Sequence, residues 1–126
     1  MRSEYHAEVT TRALGAHFSP RALAVIVAAN LAQDNPQYLI GYPEIHFDNC
    51  AFDAARARVA ALRDQVAALS DPAHQWRALG ALTHTVQDFY YLSVARFLTD
   101  QQLRRPSKNI HRSHHNLFAW HRRPRR

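Results

Sequence analysis

Asp71-Pro72-Ala73-His74-Gln75-Trp76-Arg77-Ala78-Leu79-Gly80-Ala81-Leu82-Thr83-His84-Thr85-Val86-Gln87-Asp88-Phe89-Tyr90 is the stretch that decides the fold class. Trp76, Leu79, Leu82, Val86 and Phe89 recur at intervals of three and four, the period of a helix face and not of a strand. Pro72 suits the first helical position, where its missing N–H costs nothing. The pattern continues to Leu98, and Arg104-Arg105-Pro106 breaks it. Upstream, Phe52, Val59, Leu62, Val66 and Leu69 mark a second amphipathic helix over 52–69, which reads as core packing. Ser19 and Pro20 open another, carrying Leu23, Ile26, Val27 and Leu31 and ending at Asn35-Pro36. A first helix runs from Glu4 to Leu14 and stops at Gly15. Residues 37–50 contain Gly41 and Pro43 and read as a loop, long for a small helical domain, that carries His46 and Asp48. β-branched residues are few, whereas Ala and Arg are abundant. The expectation is an all-α, compact domain of about four to five helices, with one long ligand-bearing loop and a basic C-terminal tail.

A chain of 126 residues fits one domain, and 47% hydrophobic residues suffice for a core, which excludes global disorder. The longest apolar run, Ala22 to Ala32, contains Asn30 and falls short of the ~20 residues a bilayer requires. The N-terminal residues show no apolar run after Arg2, so no secretion signal is read and a cytoplasmic location is expected. Cys50 is the only cysteine, so any metal must be held by His and carboxylate. Charge divides the chain: residues 1–103 carry a net −2, and 104–126 carry +8 with no acid at all. We therefore expect a metal-binding helical domain over 1–103 followed by a basic His/Arg-rich segment over 104–126.

The candidate chemistry begins with His84 and Asp88, four apart and so on one helix face. Imidazole and carboxylate together suit Zn²⁺, or less specifically Mn²⁺ or Fe²⁺. Taken alone, such a pair more often satisfies its own charges. His6 on the first helix, Asp34 at the end of the second, and His46 with Asp48 on the loop add donors of the same kind. An acid at a helix C-terminus opposes the macrodipole by a few tenths of a kcal/mol, and a bound cation at Asp34 would offset that. His17 and His74 fall outside these blocks and read as surface or packing residues.

Four blocks, in order, resemble the heterokaryon-incompatibility protein C (Het-C) group, which is related to zinc-dependent phospholipase C and the single-strand zinc nucleases. They are Tyr5-His6 through Leu14, Ala29-Asn30 through Asp34, His46-Phe47-Asp48-Asn49, and Leu79-Gly80 through His84 to Asp88-Phe89-Tyr90. The resemblance implies an all-α fold, a zinc cluster and phosphodiester hydrolysis. It places Asp34, His46, His84 and Asp88 around one zinc, with Asp88 bridging to a second zinc held by His6. Asp48 would support the ligands or order the loop. A third position is damaged, because Leu92 stands where the group has a His, and His111 with His115 are the nearest counterparts of its remaining donors.

The expected activity is therefore that of a divalent-metal-dependent phosphodiesterase, phospholipase C-like or nuclease-like. In it Asp34 and Asp88 serve catalysis, and Arg96 contacts substrate phosphate. The substrate class stays open between a phospholipid, a nucleic acid and a small phosphodiester. One alternative is a non-catalytic relative in which the metal is a structural staple. Another is an anion- or nucleic-acid-binding module acting through the Arg-rich tail, which would also suit an anionic membrane surface.

Overall fold

The computed structural model describes the backbone of residues 2–103 and side chains through residue 95. The expected tail over 104–126, including the segment Ser107 to Trp120, lies outside the described residues. Six α-helices follow in order: α1 Ser3–Leu14, α2 Pro20–Leu31, α3 Pro36–Leu39, α4 Pro43–His46, α5 Phe52–Ala68 and α6 Pro72–Leu103. Among the described residues there is no strand, and the fold is all-α. Contacts divide the chain into two units, Met1–Leu92 and Ser93–Arg126, and the packing described below belongs to the first.

Local chemistry sets the helix boundaries. Ser19 accepts a hydrogen bond from the Ala22 N–H at 3.3 Å, satisfying one of the free donors at the start of α2. Asp71 does the same for α6, its Oδ2 accepting from the His74 N–H at 2.9 Å. After α2 the chain tightens into a single 3-10 turn, Ala32–Asp34, before Pro36 starts α3. The segment expected as a loop differs from that expectation: it contains the two one-turn helices α3 and α4, each started by a proline that presets φ. A four-residue turn is too short to show hydrophobic periodicity, which is why pattern reading misses it.

The helices enclose an interior that is polar at its centre. α5 and α6 close over Leu62, Ala78 and Ala81, with Val66, Leu69 and Leu82 packed around them. Where α2 crosses α6, Gly80 has no room for a side chain: a Cβ there would lie 2.3 Å from the Ile26 carbonyl oxygen and 2.9 Å from the Asn30 nitrogen. This close approach brings Asn30 of α2 beside His84 of α6. Of the largest fully buried side chains, Ile26 alone is aliphatic; the others are His6, His84, Asn30, Thr10 and Thr85.

Candidate metal centre

Three elements deliver donors to one point. α6 presents His84 and Asp88 one turn apart, α4 ends on His46, and α1 contributes His6. His6 and His84 are fully buried, Asp88 and His46 nearly so. His46 Nδ1 lies 2.9 Å from Asp88 Oδ2 and 3.2 Å from His84 Nε2, and His84 Nε2 lies 3.2 Å from Asp88 Oδ2. A triangle of this size resembles one face of a coordination tetrahedron, since donors ~2.0–2.1 Å from zinc stand roughly 3.3 Å from one another. Asp34, at the end of the 3-10 turn, adds Oδ1 at 3.7 Å from His84 Nε2, and its Oδ2 accepts from Ser3 Oγ at 2.9 Å. The other oxygen of Asp88 faces a different ring: Oδ1 lies 3.3 Å from His6 Nε2. His6 itself stacks on His84, ring centroids 4.1 Å apart and planes inclined by 17°. Two donor sets result, His46–His84–Asp88 and His6–Asp34–His84.

A layer of buried and half-buried amides and hydroxyls orients these rings. His84 Nδ1 faces Asn30 Oδ1 at 3.4 Å and His6 Nδ1 faces Gln87 Oε1 at 2.6 Å. Both partners are acceptors, so each Nδ1 carries a hydrogen and each Nε2 is the nitrogen that faces the carboxylates. The amides are fixed in turn. Asn30 Nδ2 lies within 3.2 Å of three acceptors, Gln87 Oε1, Thr83 Oγ1 and Thr10 Oγ1, among which it shares its two hydrogens, and Gln87 Nε2 donates to Thr10 Oγ1 at 2.9 Å. That network has no counterpart among the residues singled out from sequence. Its available signal is the repeat of four, because Thr10 follows His6, Asp34 follows Asn30 and Gln87 follows Thr83 by one helical turn.

The electrostatics follow from this packing. Burial alone would push the Asp88 carboxyl up, but hydrogen bonds from His46, His6 and His84 outweigh it and hold the group well below the usual carboxylate range. Burial pulls the His6 imidazole down, yet its bonds to Asp88 and Gln87 and the charges of Asp88 and Asp34 leave it raised. In the absence of a cation, the raised His6 imidazole is the group that offsets the Asp88 charge. A metal ion would take over that role.

The cluster reaches solvent on one side, at a cleft of about 190 Å³ lined by Asp34, His46, Asp48, Asp88, Tyr91 and Leu92 among others. Asp48 is exposed there, and its backbone orders the segment: its N–H donates to the Pro43 carbonyl and its carbonyl accepts from Ala51. The structure thus brings His6, Asp34, His46, His84 and Asp88 together and sets Asp48 at the rim. Leu92 lines the cleft without a donor atom. The Arg96 side chain, His111 and His115 lie outside the described residues.

Fold and site together define a small helical domain built around a buried His/Asp cluster. The chain belongs to the family of VWA7 N-terminal domains, whose family model matches residues 2–113. No curated protein and no solved structure matches it. The family match overturns the resemblance drawn from sequence: the chain is not placed in the Het-C, zinc phospholipase C or zinc nuclease group. The four blocks behind that resemblance are short His- and Asp-bearing segments, and helices supplying such donors to a polar interior produce similar spacings wherever the geometry recurs.

Proposed function

We propose that this domain binds a divalent transition metal, zinc first, and that the bound ion serves hydrolysis of a phosphodiester. One observation carries the reading: His46 Nδ1, His84 Nε2 and Asp88 Oδ2 form a buried triangle with edges of 2.9, 3.2 and 3.2 Å, with Asp34 next to it. Burying so many donors is costly unless a cation or protons compensate them. Asp88 turns Oδ2 to His46 and His84 and Oδ1 to His6, so a second ion would be held by His6, Asp34 and Asp88 without His84, whose single free nitrogen belongs to the first. His46, His84 and Asp88 would hold the ion, which would supply Lewis-acid chemistry toward a phosphodiester. Asp34 lines the cleft with a side chain 21% exposed, which supports it as the proton acceptor in this reading.

A second reading, a structural metal without turnover, is favoured by the complete burial of His6 and His84. Elemental analysis of the purified chain beside His84→Ala and Asp88→Asn tests the shared premise, with circular dichroism to establish that each variant is folded. Zinc or manganese in wild type alone supports binding, whereas no metal after zinc loading ends both readings. Hydrolysis of bis(p-nitrophenyl) phosphate by the loaded protein, lost in Asp34→Asn while metal is retained, separates catalyst from staple.

A further inference from the structure

The α5–α6 pair that is closed at Leu62, Ala78 and Ala81 opens at its other end. A cavity of about 610 Å³ lies there, with Phe52, Arg56 and Val59 of α5 on one wall and Val86 and Phe89 of α6 on the other. Phe47 ends it, its ring 4.9 Å from Phe89 and 6.3 Å from Phe52. Phe52 and Val59 are therefore only partly core residues, as one face of their helix borders the cavity. Phe52 and Phe89 remain 38% and 39% exposed, and Tyr90 65%.

We infer that this cavity binds a single-chain amphiphile with one negative charge, its chain among Phe47, Phe52, Val59 and Phe89 and its headgroup at Arg56. The volume falls within the range of about 300–1,000 Å³ usual for small-molecule sites. It is small for a protein interface, which buries roughly 800 Å² on each partner. Among the described lining residues, Arg56 is the one that carries a charge. Its guanidinium stays available, because its pairing with Asp53 spans 4.0 Å between side chains 80% and 102% exposed. A nucleotide or sugar would need several polar partners, and the described lining residues supply Arg56 and the Tyr90 hydroxyl alone. Phe47 and Phe89 directly follow His46 and Asp88 in sequence, so the cavity backs onto the metal donors without sharing them.

Calorimetric titration of the full chain in EDTA, at amphiphile concentrations below micelle formation, tests this independently of any metal. Laurate is expected to bind saturably at one per chain, more tightly than dodecanol, with dodecylammonium weakest. Arg56→Ala is expected to weaken laurate about tenfold and leave dodecanol unchanged. Val59→Trp fills the cavity and Phe52→Glu charges its edge, and either variant, folded by circular dichroism, is expected to abolish laurate binding. Absence of saturable binding would overturn the proposal. So would undiminished laurate binding in folded Phe52→Glu, which would place the ligand on the basic C-terminal residues.

Discussion

Asn30 concentrates the demands of the site in one side chain. It is fully buried, its amide nitrogen faces three acceptors within 3.2 Å, and its carbonyl faces the ring that supplies His84 Nε2. Truncation would take one partner from each of Thr10, Thr83 and Gln87 and remove the acceptor facing His84 Nδ1, and a buried group left unsatisfied costs about 1–3 kcal/mol. We expect Asn30→Ala to lower unfolding free energy by about 2–3 kcal/mol in urea titrations, an effect at the upper end of that range because several groups share the loss. The effect is expected in EDTA as well, since these bonds do not depend on an ion. Asn30→Asp is expected to do worse than its near-identical shape suggests, as it deletes both amide hydrogens and adds a carboxylate in a buried position. Equal stability of Asn30→Asp and wild type would show that the network does not hold His84.

At the scale of elements, backbone conformation decides where the donors fall. Gly80→Ala would drive a methyl group into the backbone of α2, at Ile26 and Asn30, so the helices must separate and carry His84 away from Asn30. Overpacking costs about 1–3 kcal/mol where side chains can yield. Here the obstacle is backbone, and we expect a loss at or above that upper figure, read from thermal melting. The connection from α4 to α5 is strained in another way. Phe47, Asn49 and Cys50 all have positive φ, at 56°, 50° and 61°. Asn tolerates this region, but Cys carries a Cβ penalty of roughly 1–2 kcal/mol. Cys50 is exposed, so Cys50→Gly removes strain without removing packing, and we expect a gain of about 1 kcal/mol, less the extra unfolded-state entropy of glycine. These features also mark what sequence can convey. The extents of α1 and α5 and the starts of α2 and α6 were legible because Gly15, Ser19, Pro20, Asp71, Pro72 and the apolar period are local signals, whereas α2 stops at Leu31, short of the Asn35-Pro36 end read from sequence. His6, Asp34, His46, His84 and Asp88 were legible as residue types. α3, α4 and the Asn30–Gln87 network were not, because one-turn helices have no period and long-range amide bonds leave no mark on neighbouring residues. The cavity beside Val59 was hidden for the opposite reason: the stripe bordering it has the same spacing as a stripe in a core.

The unit Met1–Leu92 as a whole combines a modest apolar core with an interior of imidazoles, amides and hydroxyls, and its stability should therefore respond to protons and metal in opposite senses. Asp88 has a depressed pKa, so its contribution is present above the unfolded value of about 3.9 and is lost as pH falls through the folded one. His6 has a raised pKa, so its contribution is complete below the unfolded value of about 6.5 and is lost as pH rises through the folded one. In EDTA the domain is expected to be most stable between roughly pH 4 and 6.5, with melting temperature falling on either side. Zinc reverses the upper limb, since it requires deprotonated imidazoles and its affinity grows as pH rises. At free zinc a hundredfold above Kd the linkage amounts to about 2.7 kcal/mol. For a unit of this size that corresponds to a rise in melting temperature on the order of 10–20 °C. Calorimetry at pH 6 and pH 8, with EDTA and with zinc, checks this in four scans. Metal-free melting should drop from pH 6 to 8 while the zinc increment grows. Parallel slopes with and without zinc would mean that metal and protons do not compete for the same nitrogens, and the donor assignment to His46, His84 and His6 would have to be abandoned.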